Sequence, residues 1–121
     1  MGQSYRELIA WQKAMDFVLH IYKASKLFPR DEMYGLAAQL RRAAIAIPAH
    51  IAEGQARYSG SEFHHFLGRA RGSLVEVETE IMIAQNLEYL SAEQSQQLLS
   101  KASELGKILS GLASSIRQRH N

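Results

Sequence analysis

The sequence predicts an all-α fold, an up-down-up-down antiparallel four-helix bundle with a proline-kinked second helix. Apolar residues recur every three or four positions through four long segments, and short stretches rich in glycine, proline or serine separate these segments. Long helices joined by short connections pack as antiparallel neighbours. The 121 residues are enough for one core, so we expect a single domain over residues 1–121.

The first helix is expected to start near Ser4, which matches a capping box with the glutamate three residues later. The spacing predicts a core seam formed by Leu8, Trp11, Met15, Val18 and Tyr22. Phe17 and Ile21 fall outside this seam. Leu99 and Ile108 likewise fall outside the seam of the fourth helix. Since large exposed apolar patches are unusual on monomers, these four residues predict a second buried face and an oligomer.

The second helix is interrupted by Pro48, which deletes an N–H donor and costs about 3 kcal/mol in a helix interior. We expect this helix to open at Pro29 or Asp31. Its apolar residues keep helical spacing on both sides of the proline: Leu36, Leu40, Ala43, Ile47 and Ile51. The pattern therefore predicts one helix kinked at Pro48. The kink serves either internal packing or a shaped interface between subunits.

The third and fourth helices have the most regular patterns. Ser59 is expected to cap the third helix, whose seam is Phe63, Leu67, Ala70, Leu74, Val77, Ile81 and Ala84. Gly68 and Gly72 lie four residues apart, and we expect them to let a neighbouring backbone approach closely. Ser91 is expected to cap the fourth helix, with the seam Leu98, Ala102, Leu105, Leu109, Leu112 and Ile116.

Composition and motifs argue against an enzyme. The chain has no cysteine, which excludes disulfides, thiolate nucleophiles and zinc–thiolate sites. No nucleophile elbow, phosphate-binding loop or HExxH motif occurs. The di-iron template of helical bundles needs two Glu-x-x-His motifs and two more glutamates, and only Glu62 with His65 matches. We therefore predict no catalytic residue, no metal and no cofactor. No apolar run is long enough for a membrane span, so the cytoplasm is the expected location.

Charge is small overall, at +2, but is unevenly placed. With up-and-down topology, one end of the bundle collects seven basic side chains: Arg6, Arg57, Arg69, Arg71, Lys107, Arg117 and Arg119. Three acidic residues accompany them, Glu7, Glu53 and Glu62, together with the histidines His64, His65 and His120. The opposite end carries a slight negative excess. This pattern predicts either an ordinary solvated face or a basic surface for a polyanion.

The residues chosen as nucleic-acid-binding candidates are Arg57, Arg69, Arg71, Arg117 and Arg119. Arg57 is a weaker candidate than the others, because Glu53 lies four residues before it, in the order that favours an ion pair between the two. Contacts from these arginines should go to phosphates, since few aromatic residues accompany them.

A family resemblance runs through nearly the whole chain, and its most specific part is RRAAIAIPAHIAEG at residues 41–54. Further matching residues are Tyr5, Leu8, Trp11, Gln12, Ala14, Phe28, Pro29, residues 32–36, Phe66, Leu67, Ala70 and residues 72–74. On these residues the chain resembles the small four-helix-bundle family encoded in intervening sequences of bacterial large-subunit (23S) ribosomal RNA genes. Family members usually carry serine at the position of Ala46 and asparagine at that of His50. Any polar contact that this serine and asparagine make in other members is therefore not expected in this chain.

Members of that family are similar, in turn, to the accessory protein of diversity-generating retroelements. That accessory protein is a ring-shaped pentamer that binds a reverse transcriptase and nucleic acid. The resemblance thus implies a non-catalytic homopentamer whose partners are RNA or DNA and a nucleic-acid enzyme. Two functions follow: a ring-forming protein that binds nucleic acid through its basic end, or a protein-only oligomeric scaffold that docks an acidic protein partner.

Overall fold

The computed structural model describes residues 4–119, with side chains described as far as Arg117. Its helices are α1 (Ile9–Ser25), α2 (Leu36–Gln55), α3 (Gly60–Asn86) and α4 (Ala92–Arg119). Two short 3-10 turns, Tyr5–Glu7 and Arg30–Glu32, precede α1 and α2. No strand occurs between residues 4 and 119. The prediction of an all-α four-helix bundle is confirmed.

The four helices pack in the order of the chain. Each contacts the helix before and after it, and α1 closes the arrangement against α4. In the described residues, no Cα atoms of the diagonal pairs α1/α3 and α2/α4 come within 8 Å of each other. Only residues 56–59 and 87–91 connect α2 to α3 and α3 to α4. Such connections are too short to return along a helix. Arg41, near the start of α2, donates to Ser25 at the end of α1 at 2.7 Å, so all consecutive helices run in opposite directions.

The buried face of α1 differs from the predicted seam. Its buried residues are Ala10, Ala14, Phe17, Ile21 and Ser25. Phe17 and Ile21 are 2% and 0% exposed, so the expectation that they form a second, unpartnered face is wrong. Met15, from the predicted seam, is instead 43% exposed. Leu99 and Ile108 of α4 are half-buried and also pack against the core.

Helix α2 begins at Leu36, later than expected, because residues 30–32 form a 3-10 turn and Gly35 is the N-cap. Glu32 Oε1 accepts a hydrogen bond from the Leu36 N–H at 3.1 Å and so satisfies a backbone donor in the first turn of α2. Pro48 is buried inside a helix that continues to Gln55. One helix across the proline is therefore confirmed, while a kink there stays a prediction.

Close approach between helices occurs at a different glycine from those predicted. A Cβ on Gly54 would lie 2.7 Å from Cβ of Phe66 and 2.9 Å from Cδ1 of Phe63, so α2 and α3 touch there. A Cβ on Gly68 or Gly72 would meet nothing within 4 Å. The expectation that these two glycines admit a neighbouring backbone within the bundle is wrong.

The caps of α3 and α4 follow the sequence signals. Ser59 Oγ accepts the Glu62 N–H at 3.1 Å, and Ser91 Oγ accepts the Gln94 N–H at 3.0 Å. Ser4 instead accepts from the Arg6 N–H and caps the 3-10 turn, and α1 begins only at Ile9. No helix within residues 4–119 is both long and apolar enough to cross a membrane.

Candidate nucleic-acid interface

Two of the candidate arginines meet on a single aromatic ring. The guanidinium carbons of Arg57 and Arg69 lie 4.8 Å and 5.5 Å from the centroid of the Phe66 ring. His65 approaches the same ring edge-on at 5.7 Å, and His50 lies 6.2 Å from it. We call Arg57, Arg69, His50, His65 and Phe66 the Phe66 cluster.

The packing of α2 on α3 explains why this cluster forms. Gly54 lets the end of α2 descend onto Phe66, which is 8% exposed. Arg57 follows three residues after Gly54, in the connection, and so reaches the ring from the α2 side. Arg69 reaches it from α3 itself, because residues three apart share a helix face. A guanidinium over a ring gains about 0.5–1 kcal/mol at an exposed site, enough to restrict its orientation.

Arg71 points to the other flank of α3. Residues two apart on a helix do not share a face, so Arg69 and Arg71 are separated although they are adjacent candidates in sequence. Arg71 Nη1 donates to Ser110 Oγ of α4 at 3.2 Å. It lines an open groove between α3 and α4 together with Leu74, Val75, Glu78, Ala102, Ser103, Gly106, Lys107 and Ser110, with a volume of about 420 Å³. We call this the α3–α4 groove.

Arg117 lies farther along α4 and is exposed. Because α3 and α4 are antiparallel and Arg71 contacts Ser110, Arg117 lies seven residues beyond that contact, at the level of His64. The side chain of Arg119 lies outside the described residues, as does His120. The described candidates thus form two groups on opposite flanks of α3, with Arg117 near the end of the bundle.

Acidic neighbours offset part of this positive charge. Arg57 Nη1 lies 4.0 Å from Glu62 Oε1, which is a long ion pair between half-exposed side chains. Glu53, which was expected to pair with Arg57, instead lies 3.2 Å from His50 Nδ1. Exposed pairs of this kind contribute roughly 0–1 kcal/mol, so they leave the guanidinium free to exchange Glu62 for a phosphate.

The arrangement suits an anion better than a reaction. Planar guanidinium groups bind phosphate through paired N–H donors, and here two of them are oriented by one ring. No group of three histidine or acidic side chains capable of holding a metal ion occurs in the part of the chain that the structure describes. The exposed ring of Tyr58, in the connection after α2, is the aromatic group nearest in sequence to Arg57 that could stack on a base.

Sequence reasoning missed Phe66 as the organising group. Its spacing of three from Arg69 was a usable signal, but its contact with Arg57 depends on the approach at Gly54, which is tertiary. Lys107 was counted with the basic end but not chosen as a site residue, although it lines the α3–α4 groove beside Arg71. Phe63, by contrast, packs against the core as expected.

The family of the chain is given by comparison with known proteins. The sequence profile of the 23S rRNA-intervening sequence protein family matches residues 6–111. The chain belongs to this family. The match includes the α2 motif and three of the five candidate arginines, Arg57, Arg69 and Arg71, whereas Arg117 and Arg119 lie beyond it.

A solved structure shares the fold of this family member. It is the crystal structure of a protein with unknown function from the S23 ribosomal protein family of Bacteroides thetaiotaomicron. The two chains superpose with a TM-score of 0.80 at 22% sequence identity, covering 87% of this chain and 98% of the other. At that identity the likeness concerns the fold alone. No curated protein matches the chain.

Proposed function

We propose that this family member is a non-catalytic assembly protein that forms a ring and binds nucleic acid through its basic end. The observation that supports this most directly is the Phe66 cluster, in which one ring orients the guanidinium groups of Arg57 and Arg69. Neither the family description nor the solved relative names a catalysed reaction. The cytoplasm is the proposed location, in keeping with a family linked to ribosomal RNA.

Phosphates are the expected targets of this surface. Arg57 and Arg69 form one group, and Arg71 with Lys107 forms a second in the α3–α4 groove. Phosphate contacts give affinity without reading sequence, so binding should have little sequence preference. RNA and DNA are both candidates, and a nucleic-acid enzyme is a further candidate partner by resemblance to the retroelement accessory protein.

Assembly into a ring would strengthen this binding. A ring repeats the basic end of each subunit around a circle and so creates a continuous positive surface. The resemblance to the retroelement accessory protein suggests five subunits. Gel filtration coupled to light scattering tests the assembly, and a mass of 13.6 kDa, that of one chain, at tens of micromolar protein would contradict it.

Fluorescence anisotropy tests the binding. A labelled duplex and a labelled single strand are titrated at several salt concentrations between about 50 and 200 mM, because each neutralised phosphate adds about −0.9 to the log–log salt slope for duplex DNA. The wild type is compared with Arg69→Glu/Arg117→Glu at the basic end. The matched control, Arg30→Glu/Lys101→Glu, makes the same change in net charge with exposed residues at the opposite end.

The expected result is salt-sensitive binding that the first double variant weakens and the control retains. If binding is absent at low salt, or if both double variants behave like the wild type, the nucleic-acid function is wrong. The basic end would then favour the scaffold that docks an acidic protein partner.

A further inference from the structure

The outward side of α3 has an unusual composition for an exposed helix face. Five residues follow each other at spacings of four and three along it, all without charge: Gly68, Gly72, Val75, Thr79 and Met82. We call them the α3 stripe. Val75 and Met82 are 52% and 47% exposed, and the two glycines have open space where a side chain would be. An outward helix face normally carries charged residues.

A second apolar surface lies on the side formed by α1 and α2. The guanidinium carbon of Arg41 in α2 lies 4.7 Å from the centroid of the Tyr22 ring in α1, so these two residues are at the same height along the bundle. One turn from that contact, Ile45 of α2 and Leu19 of α1 lie at neighbouring levels, and Met15 follows one turn farther along α1. These three residues are 45%, 62% and 43% exposed. We call Met15, Leu19 and Ile45 the α1–α2 patch.

The two surfaces carry complementary charge around them. Residues 73–90, the second half of α3 and its exit, contain no lysine, arginine or histidine, and three of their glutamates lie outside the core: Glu76, Glu78 and Glu88. Residues 17–52, along α1 and α2, hold five basic side chains, Lys23, Lys26, Arg30, Arg41 and Arg42, against two acidic ones, Asp31 and Glu32. Glu32 is already bonded within its own chain, to the Leu36 N–H and the Tyr89 hydroxyl. Among the described side chains, no ion pair within 4.0 Å joins these two sets.

The complementary halves lie at the same end of the molecule. Because the helices are antiparallel, the end of α1, the start of α2 and the end of α3 are at one end of the bundle. Two copies placed side by side in the same direction therefore bring the acidic half of one α3 next to the basic ends of α1 and α2 of the next. This contact also explains why the charges of α3, basic first and acidic second, oppose its helix dipole.

We infer that a second copy of this chain occupies the α3 stripe, with its α1–α2 patch packed on the glycines and Val75. Since α1 and α3 are diagonal, each copy presents the two surfaces on different sides, as a heterologous contact requires. Repetition of such a contact gives a ring when the rotation between neighbouring copies closes after a whole number of copies. At about 1.5 Å per residue, the α3 stripe from Gly68 to Met82 offers a contact about 21 Å long. The inference rests on the proposed assembly and names the surfaces that make it.

Matched glycine variants test the inference. Gly72→Leu fills the α3 stripe, and Gly111→Leu places the same side chain on α4, where a Cβ again meets nothing within 4 Å. Both variants should stay helical by circular dichroism, because a Cβ at either position meets no neighbour in its own chain and leucine favours a helix. Light scattering should show loss of assembly for Gly72→Leu, with the midpoint of dissociation raised about tenfold or more, and no change for Gly111→Leu.

A mixing experiment identifies the two sides of the contact. Leu19→Ser/Ile45→Ser removes the α1–α2 patch and should also give single chains. Mixed in equal amounts with Gly72→Leu, it should form a complex of two chains, because each variant retains the surface that the other lacks. This recovery also shows that both variants are folded.

The outcomes separate this inference from the proposed function. A wild type of one chain at tens of micromolar overturns the assembly and the contact together. A wild-type ring that Gly72→Leu leaves intact overturns the contact alone. If Gly72→Leu dissociates the ring while Leu19→Ser/Ile45→Ser does not, the α3 stripe contacts another surface and the inference is wrong.

Discussion

At the scale of single residues, Glu80 stands out as an acidic side chain in the buried face of α3. It is 6% exposed, and its Oε1 has no hydrogen-bond partner. Burial, followed by the nearby charge of Glu76, raises the pKa of the Glu80 carboxyl to about 7. Near neutral pH this carboxyl is therefore partly protonated, and its ionisation works against the folded state.

Glu80→Gln should make stability less dependent on pH. Since the folded-state pKa lies above the usual value, the stabilising contribution of the protonated carboxyl is complete at low pH and lost as the pH rises through about 7. The uncharged amide should raise the free energy of unfolding by roughly 1–3 kcal/mol at pH 8 and by little at pH 5. Urea unfolding at both pH values, at one protein concentration, measures this. A difference independent of pH would contradict it.

Local contacts at this scale could be predicted from sequence, and tertiary ones could not. The caps Ser59 and Ser91 each bond to an N–H three residues later, so their signal lies within one short segment. The contact of Arg57 with Phe66 requires α2 to meet α3, which no local pattern encodes. Glu80 lies at the edge of the buried face of α3, where helical spacing alone does not predict burial.

At the scale of helices, the contact between α2 and α3 depends on Gly54. Gly54→Ala should lower the free energy of unfolding by about 1–3 kcal/mol, because its Cβ would collide with Phe66 Cβ, which is fixed to the backbone. Gly111→Ala, the control, should raise it by about 0.5–1 kcal/mol through helix propensity alone. Thermal or urea unfolding compares the two variants. Equal effects would show that the close approach is not required.

The proline of α2 gives a second prediction for this scale. Pro48→Ala restores an N–H donor and removes the ring, so α2 should stay helical and become locally more stable. If the bend expected at Pro48 shapes the face that neighbouring copies contact, the variant should assemble less well. Circular dichroism and light scattering measure the two effects. If the variant is thermally more stable and its assembly is unchanged, Pro48 has no role in assembly.

The helix seams show where periodicity suffices. In α3 and α4 the predicted seams form the core, and only Phe63 and Leu112 of the two seams are half-buried. In α1 two stripes have heptad-like spacing, and the core takes the one with Ala10 and Ala14, whose small side chains carry little weight in a hydrophobic pattern. Packing against the neighbouring helices selects the stripe that is buried. The sequence of α1 alone therefore does not show which of its two stripes forms the core.

At the scale of the whole molecule, binding and assembly should depend on each other. The Phe66 cluster and the α3–α4 groove lie on opposite flanks of α3, so one subunit presents few arginines in any one direction. A ring places the basic ends of several subunits along one strand of nucleic acid. Linked sites of this kind gain affinity through their effective concentration, without any new contact.

Dissociating the ring should therefore weaken nucleic-acid binding even though no arginine is changed. Gly72→Leu alters none of the basic residues, yet its single chains should bind a labelled duplex at least about tenfold more weakly than the wild type, because avidity is lost. Their log–log salt slope should also be shallower, since fewer phosphates are neutralised per complex. Anisotropy titrations at several salt concentrations, with Gly111→Leu as the control that stays assembled, measure both quantities. Single chains that bind with wild-type affinity and slope would show that each subunit carries a complete site, and that the ring serves some purpose other than binding.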